Sequence, residues 1–592
     1  VLSWLKRLAA RAAARDERGL ATAAAAAPEV HAPDGPPDPQ DASAWHAYAH
    51  ALVRARRWDD ALAAFHRATE ADPLHAGAWV GAGNVAMHLG RPRDAVARYE
   101  RALRIDGSDR VAQFNLVQAL QAEGHLNGAL ERCRALVAAA PDDARAVALL
   151  GLLLARSGDA DAAASCYESA LDLAPQDAAT WSDYGHLLQQ SKRNEEAERA
   201  YRQALAVDPE STPALNNLGL LMYEQDRLEE SEALLLRAAA APVPPPDVWA
   251  NLANLRVAQN RIDEALALSD RARAAGLDTP ELHFSRAMTL LVAGRLPEGF
   301  AEYEHRFGTR IYAGMRRKGQ GCLWQGEPLA GRTLLLWAEQ GMGDTLQFVR
   351  YVPALRARGA RVVLEAQAPL QRLLATSLGV EVRPPGSTWE GVDHHCPLMS
   401  LPHRFGTTLD DIPWTGPYLR APDAGTGPWP ELDAAGNLKV GLVWAGNPSH
   451  LNDANRSVPL SALAPLAGLC RVTFFPLQLG PAAAQREAFC APGRWVDLTP
   501  RIRDFADTAA VLSRLDLLVT VDTSVAHLAG ALGCPAWVLV PWAPDWRWML
   551  GREDTPWYPT LRLLRQPAPG AWEPVVREVR DRLAGLAAED AC

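Results

Sequence analysis

The sequence predicts an all-α array of helical hairpins followed by an α/β unit of two parallel-sheet lobes. Three observations predict it. A 34-residue period runs through the first half; after Phe307 it gives way to short apolar runs alternating with helical segments; and a Pro/Gly-rich break at 421–437 divides those runs into two series. A chain of 592 residues exceeds one compact core at about 150 residues per domain. Hydrophobic residues at 48% and charged residues at 22% exclude wholesale disorder. The net charge of −10 lacks the positive field that tight nucleic-acid binding needs, so DNA and RNA are not expected partners.

Residues 1–40 are Ala- and Pro-rich and read as a short helix followed by a flexible linker. They contain no apolar core followed by a cleavage site, so no secretory signal is expected. No stretch reaches the ~20 apolar residues of a membrane span. The eight Cys form no C-x-x-C pair, which suits reduced thiols and an expected cytoplasmic location. No metal site is expected either, since His394, His395 and Cys396 would alternate between the faces of a strand.

From residue 41 to 310 the period sets the structure. Steps of 34 from Trp45 reach Trp79, Gln113, Val147, Trp181, Leu215, Trp249 and His283. Four positions on, Ala49, Gly83, Val117, Gly151, Gly185, Gly219, Ala253 and Ala287 are small in all but one case, where two helices must approach closely. A bulky series follows at Phe65, Tyr99, Cys133, Tyr167, Tyr201 and Leu235, and Pro73, Pro141, Pro175 and Pro209 close four repeats. These spacings resemble the tetratricopeptide repeat family. The resemblance implies eight hairpins stacked into a right-handed superhelix whose concave groove binds protein segments. Two residues after the Trp position, Asn115, Asp183, Asn217, Asn251 and Ser285 form a polar row able to grip the backbone of an extended peptide acceptor.

In the second half, GRTLLLW, ARVVLEAQ and VEVRPPG read as strands separated by helices, which predicts a first lobe at 331–425. LKVGLVWAGN, RVTFFPLQLG, RWVDLTP, LLVTVDTS, PAWVLVPW and LRLLRQ predict a second lobe at 437–592, with SVPLSALAPLAG and AAAQREAF between them as helices. The last helix, from Trp572, is expected to cross back to the first lobe.

VTVDTSVAHLAGALGCP, from Val519 to Pro535, resembles the nucleotide-sugar motif of family 9 glycosyltransferases, the bacterial heptosyltransferase group of GT-B fold. QGMGDTLQFVRYVPAL resembles the turn after that family's first strand, and repeats joined to such a unit are similar in architecture to O-linked N-acetylglucosamine transferases. The resemblance implies a metal-independent, inverting transferase without cofactor that takes a nucleotide-diphosphate sugar. Asp522, Thr523, Ser524 and His527 would then lie at a strand end and helix start beside the diphosphate. Arg456 stands where the family usually has Lys to reach the diphosphate, in one loop with Asn447 and His450, and Gln478, after the strand ending FFPLQ, is expected to touch the base or ribose; Asn447 and Gln478 are thus expected on the nucleotide sugar. Asp344 is the expected base, in competition with a helix-capping role; Glu339 and His403 are the spare candidates. Trp546 or Trp548, in the aromatic loop 541–559, is expected to stack on the sugar. Two alternatives stand beside a protein acceptor: a glycan or lipopolysaccharide acceptor with the repeats as tether, and a repeat scaffold with a non-catalytic transferase domain.

Overall fold

The computed structural model describes residues 37–589 apart from 313, 316–320, 423–428, 434–436, 449–451 and 489–493. Residues 1–36 of the expected helix and linker, and His450, lie outside the described residues. The chain divides into two compact units, Val1–Asn251 and Leu252–Cys592.

The first unit is built from hairpins. Among the described residues it contains α1 (Ala42–Arg54), α2 (Trp58–Ala71), α3 (Ala76–His88), α4 (Pro92–Ile105), α5 (Arg110–Glu123), α6 (Leu126–Ala139), α7 (Ala144–Ser157), α8 (Ala160–Leu173), α9 (Ala178–Gln190), α10 (Asn194–Val207), α11 (Thr212–Glu224) and α12 (Leu228–Ala239). The side chains of Asp41, Asp109, Asp143 and Asp177 accept backbone N–H groups at the starts of α1, α5, α7 and α9, satisfying donors that have no partner inside the helix. The small and bulky series meet each other. A Cβ at Gly83 would lie 2.5 Å from the Tyr99 ring, one at Gly185 2.7 Å from Tyr201, and one at Gly219 2.8 Å from Leu235. Glycine is therefore what lets the two helices of a hairpin close over a large side chain. The indoles of Trp79 and Trp181 donate to the carbonyls of Pro73 and Pro175, at 3.1 and 2.9 Å, so these two Trp fasten their hairpins to the turns before them.

The boundary between the units falls inside α13 (Pro246–Ala258), not at the 310–331 junction where the period stops. α14 (Ile262–Ala274), α15 (Pro280–Val292) and α16 (Leu296–Tyr303), with the 3-10 turn Glu304–Gly308, belong to the second unit. The reason lies on α16: Leu296, Phe300 and Tyr303 are buried in the same apolar core as the strands and helices that follow. The Phe300 ring meets Trp546 edge-on at 5.5 Å.

Two five-stranded, all-parallel sheets follow. The first contains β1 (Cys322–Leu323), β2 (Thr333–Trp337), β3 (Arg361–Glu365), β4 (Glu381–Arg383) and β5 (His394–Pro397), in the order β1-β5-β2-β3-β4. The second contains β6 (Leu438–Val443), β7 (Val472–Pro476), β8 (Leu517–Val521), β9 (Ala536–Val540) and β10 (Leu561–Arg565), in the order β10-β9-β8-β6-β7. The first sheet thus begins at Cys322, ahead of the expected 331, because β1 pairs with β5. RWVDLTP is no strand of the second sheet: Trp495 makes a single bridge to Phe474. The two segments read as helices are 3-10 turns, Leu460–Gly468 and Pro481–Ala488, the first with Pro465 inside it. The last helix, α24 (Trp572–Glu589), does not cross back. Trp572, Val575, Val576, Val579 and Leu583 bury their side chains with Val440, Leu460 and Phe474 of the second lobe.

Among the described residues no helix is long and apolar enough to cross a membrane.

Candidate functional site

Two strand-to-helix turns meet. β2 leads through Glu339-Gln340-Gly341 into α17 (Met342–Phe348), and β8 leads through Asp522-Thr523 into α23 (Ser524–Leu532). A Cβ at Gly343 would lie 2.8 Å from Cδ2 of His527 and 3.6 Å from Cα of Ser524, so the two helix starts touch through a residue with no side chain. This contact brings Asp344 of the first lobe together with Asp522, Thr523, Ser524 and His527 of the second. Thr523 is the N-cap of α23 and makes no side-chain capping bond. Its hydroxyl lies 3.2 Å from that of Thr520 instead, and the capping role is not taken up.

Asp344 sits in the first turn of α17, where its Oδ2 accepts the Gly341 N–H at 2.9 Å. That is the second half of a capping box, three residues in from the cap. Its Oδ1 accepts from Arg547. Arg547, one of the charged residues of the aromatic loop 541–559, is the hub of the site: it donates to Gln347 Oε1 at 2.6 Å and Asp545 Oδ1 at 2.9 Å, and lies over the Trp546 ring at 4.3 Å. Burial raises the Asp344 carboxyl above its ordinary value, against the pull of Arg547. Burial also raises Asp522, helped by Asp545 and opposed by Arg456 and Arg547, to about 6.

His527 is buried, and burial together with Arg547, Arg350 and Arg456 drives its pKa well down, so the ring is neutral near pH 7. Its Nδ1 lies 3.0 Å from the Tyr558 hydroxyl and its ring stacks on Trp548 at 5.4 Å. Tyr558 is held as a phenol by burial, and a phenol donating to Nδ1 leaves Nε2–H as the donor of the neutral ring. Arg350 adds a second buried guanidinium, donating to the Trp557 carbonyl at 3.0 Å and to the Tyr418 hydroxyl at 3.2 Å.

The remaining expectations divide. Arg456 is on α21 (Asp453–Arg456), paired with Asp453 at 3.2 Å and packed against Gly446; it acts on both Asp522 and His527. Asn447 is exposed in the loop after β6. Gln478 is engaged by backbone. Its Oε1 accepts the N–H groups of Trp444 and Ala445 at 3.1 and 2.9 Å, and its amide donates to the Leu479 carbonyl, which makes it a staple between the ends of β6 and β7. Trp546 and Trp548 offer no open stacking face. They are 1% and 0% exposed, and Trp546 is enclosed by Phe300, Phe348 and Trp557.

Glu339 is fully enclosed. It pairs with Arg306 at 2.9 Å and accepts the Met399 N–H at 3.2 Å; burial pushes its pKa up to about 7, and Oε2 has no partner. Arg306 also donates to Ser400 and to the Tyr303 carbonyl, so the turn after α16 carries the cation that neutralises the end of β2. His403 lies on α20 (Leu401–Phe405) with its pKa lowered by burial.

The polar row is half-buried throughout, and part of it serves the fold. Asn115 donates to Asn84 at 2.9 Å, Asn251 to Asn216 at 2.9 Å, and Ser285 to Asn254, each a bond between the first helices of consecutive hairpins. Asn217 accepts a long contact from Asn216 at 3.4 Å, and Asp183 has partners of its own.

The first half of the chain matches models of known repeat families: "Tetratricopeptide repeat" over 47–110 and 251–305, a second tetratricopeptide model over 86–153, and the "Cilia and flagella-associated protein 70 middle TPR-like domain" over 134–274. These residues are tetratricopeptide repeats. A curated relative, Protein FlbA of Caulobacter vibrioides, is 26% identical over 329 residues, covering 51% of this chain and 55% of FlbA; the chain thus spans about half the length of that relative. Among solved structures, YrrB, described as a TPR protein with an unusual peptide-binding site, is 26% identical with a TM-score of 0.26, over 30% of this chain and 91% of its own. A tetratricopeptide repeat protein from Parabacteroides merdae is 15% identical with a TM-score of 0.38, over 42% of this chain and 98% of its own.

Proposed function

We propose that the chain is a glycosyltransferase of GT-B type that moves a sugar from a nucleotide diphosphate to a protein segment held by its repeats. The observation that carries the reading is the junction at Gly343, where a half-buried carboxylate from one lobe meets a helix start, a neutral His and the Arg547 guanidinium from the other. The chemistry needs both halves. Asp344 takes the proton of the acceptor hydroxyl, whose oxygen forms the new bond to the anomeric carbon as the bond from that carbon to the diphosphate oxygen breaks. The electron pair leaves with the diphosphate. The start of α23, His527 Nε2–H and Arg456 stabilise the charge that develops there. A carboxyl raised by burial suits the base role even though the Gly341 N–H that it caps pulls the other way. The row through Asn217 and Asp183 holds the acceptor, and no metal or cofactor enters the transfer. The test is transfer from a panel of nucleotide sugars to peptide acceptors, read by mass spectrometry, for the wild type and Asp344→Asn.

A second reading, a repeat scaffold whose α/β unit does no chemistry, draws on the internal engagement of Asp344 by Arg547 and of Gln478 by backbone. Binding of nucleoside diphosphates without transfer or hydrolysis under any condition would favour it.

A further inference from the structure

His283 stands at the Trp position of the eighth repeat, where its side chain does something a Trp cannot. Its Nε2 lies 2.8 Å from Asp278 Oδ1, and its Nδ1 contacts Glu302 Oε2. A neutral imidazole has a single N–H, so with Nε2–H donated to Asp278 its Nδ1 presents a lone pair toward Glu302, an arrangement that a cation between them completes. The His305 ring stands beside them. It lies face to face with His283, centroids 3.9 Å apart and planes 10° from parallel, and one ligand atom from each of His283, Glu302 and His305 falls within 4.8 Å of the others.

We infer that His283, Glu302 and His305 form a binding site for a divalent transition-metal ion of the zinc type, a structural clip that joins α15, α16 and the turn Glu304–Gly308. Ligand atoms around tetrahedral zinc, with bonds of about 2.0–2.1 Å, lie about 3.3–3.5 Å apart, so the His283–Glu302 contact opens to admit the ion while His305 turns out of the stack to aim its in-plane lone pair at it. The outer contacts are those of a metal site. Asp278 accepts the Nε2–H of His283 and orients Nδ1, as a carboxylate behind a ligating His does. Arg286 at 3.1 Å and Arg273 at 3.5 Å hold the other oxygen of Glu302, leaving Oε2 for the ion. Asp270 pairs with Arg286 at 3.1 Å, so the three carboxylates Asp270, Asp278 and Glu302 outnumber the two guanidiniums and leave negative charge for a dication. His305 is exposed and supplies an entry path. The next residue, Arg306, holds Glu339, so an ion on His305 braces the turn that carries this buried pair. The site shares no side chain with the proposed transferase chemistry, and its test is independent of that reading.

The experiment uses the full-length chain, stripped with chelator and titrated with Co2+ followed visibly, then with Zn2+ in competition. One equivalent of Co2+ with the intense absorption of a tetrahedral site is expected, displaced by Zn2+. His305→Ala, which removes an exposed ligand without disturbing the core, should abolish that absorption, and Asp278→Asn should weaken binding about 10- to 100-fold. Zn2+ should also raise the melting temperature of the wild type and not of His305→Ala. The inference is overturned if no saturable equivalent is taken up. It is equally overturned if uptake survives both His305→Ala and His283→Ala, which would place the ion elsewhere, as on the helix pair His46 and His50 with Nε2 atoms 3.2 Å apart.

Discussion

Replacing Arg547 by Ala removes the cation on which the junction between the lobes depends. The guanidinium is 7% exposed and serves Asp344, Gln347 and Asp545 at once. Without it Asp344 is left as a largely enclosed carboxylate, 19% exposed, with one backbone N–H, and removing one partner of such an ion pair costs up to about 3–5 kcal/mol. For a unit spanning Leu252–Cys592, an unfolding entropy of about 2.1 cal/mol/K per residue converts that loss into a fall in melting temperature of about 4–7 °C. Differential scanning calorimetry of the wild type, Arg547→Ala, and Arg547→Met combined with Asp344→Asn measures it. The double variant leaves no unpaired charge at Asp344 and should recover most of the loss, so the two positions are expected to be strongly non-additive. A fall below about 1 °C for Arg547→Ala, or losses that simply add in the double variant, would refute the reasoning that these two residues hold the lobes as a pair.

Asp344→Asn keeps an oxygen for the Gly341 N–H and should abolish transfer while leaving donor affinity within about two-fold, since the base acts on the acceptor; turnover near wild type would return Asp344 to a purely structural role. Glu339 gives a pH signature. Its folded pKa of about 7 lies above the usual carboxyl value, so its contribution is fully present at low pH and is lost as pH rises from about 4.5 to about 7. The melting temperature of the wild type relative to Glu339→Gln should therefore fall across that window and be flat above it, and a difference that rises with pH would contradict the assignment. Asn217→Ala should raise the KM of a peptide acceptor about five-fold or more, from loss of a backbone contact of about 1 kcal/mol, without changing donor hydrolysis; unchanged KM would remove the polar row from acceptor binding.

The repeats were legible because each one repeats the same packing problem. Gly83 beneath Tyr99 and Gly185 beneath Tyr201 are the same small-on-large contact, written twice at the same spacing. The parallel strands were legible as apolar runs between helices. What escaped depends on contacts between residues far apart in the chain. Arg547 follows Asp344 by some two hundred positions, and nothing local marks an Arg among tryptophans as an ion-pair hub. Composition misled at Trp546, because a carbohydrate-stacking loop and an aromatic core use the same residues and differ in exposure alone. The end of the period misplaced the unit boundary: the repeat spacing runs on to Gly299, while Phe300 and Tyr303 already pack into the core of the α/β unit. Gln478 was correctly placed at a strand end, but a strand end also needs staples, and there the backbone of Trp444 and Ala445 takes its amide.

The claim that the second lobe holds a nucleotide diphosphate is tested most directly by calorimetric titration of nucleoside diphosphates and their sugars into the full-length chain, the His527→Ala variant and the Arg456→Ala variant. One saturable site is predicted for the wild type, weakened about ten- to a hundred-fold in each variant, as expected for a lost hydrogen bond to a charged phosphate of about 1.5–3 kcal/mol. No saturable heat with any nucleoside diphosphate, or equal affinity in all three proteins, would contradict it.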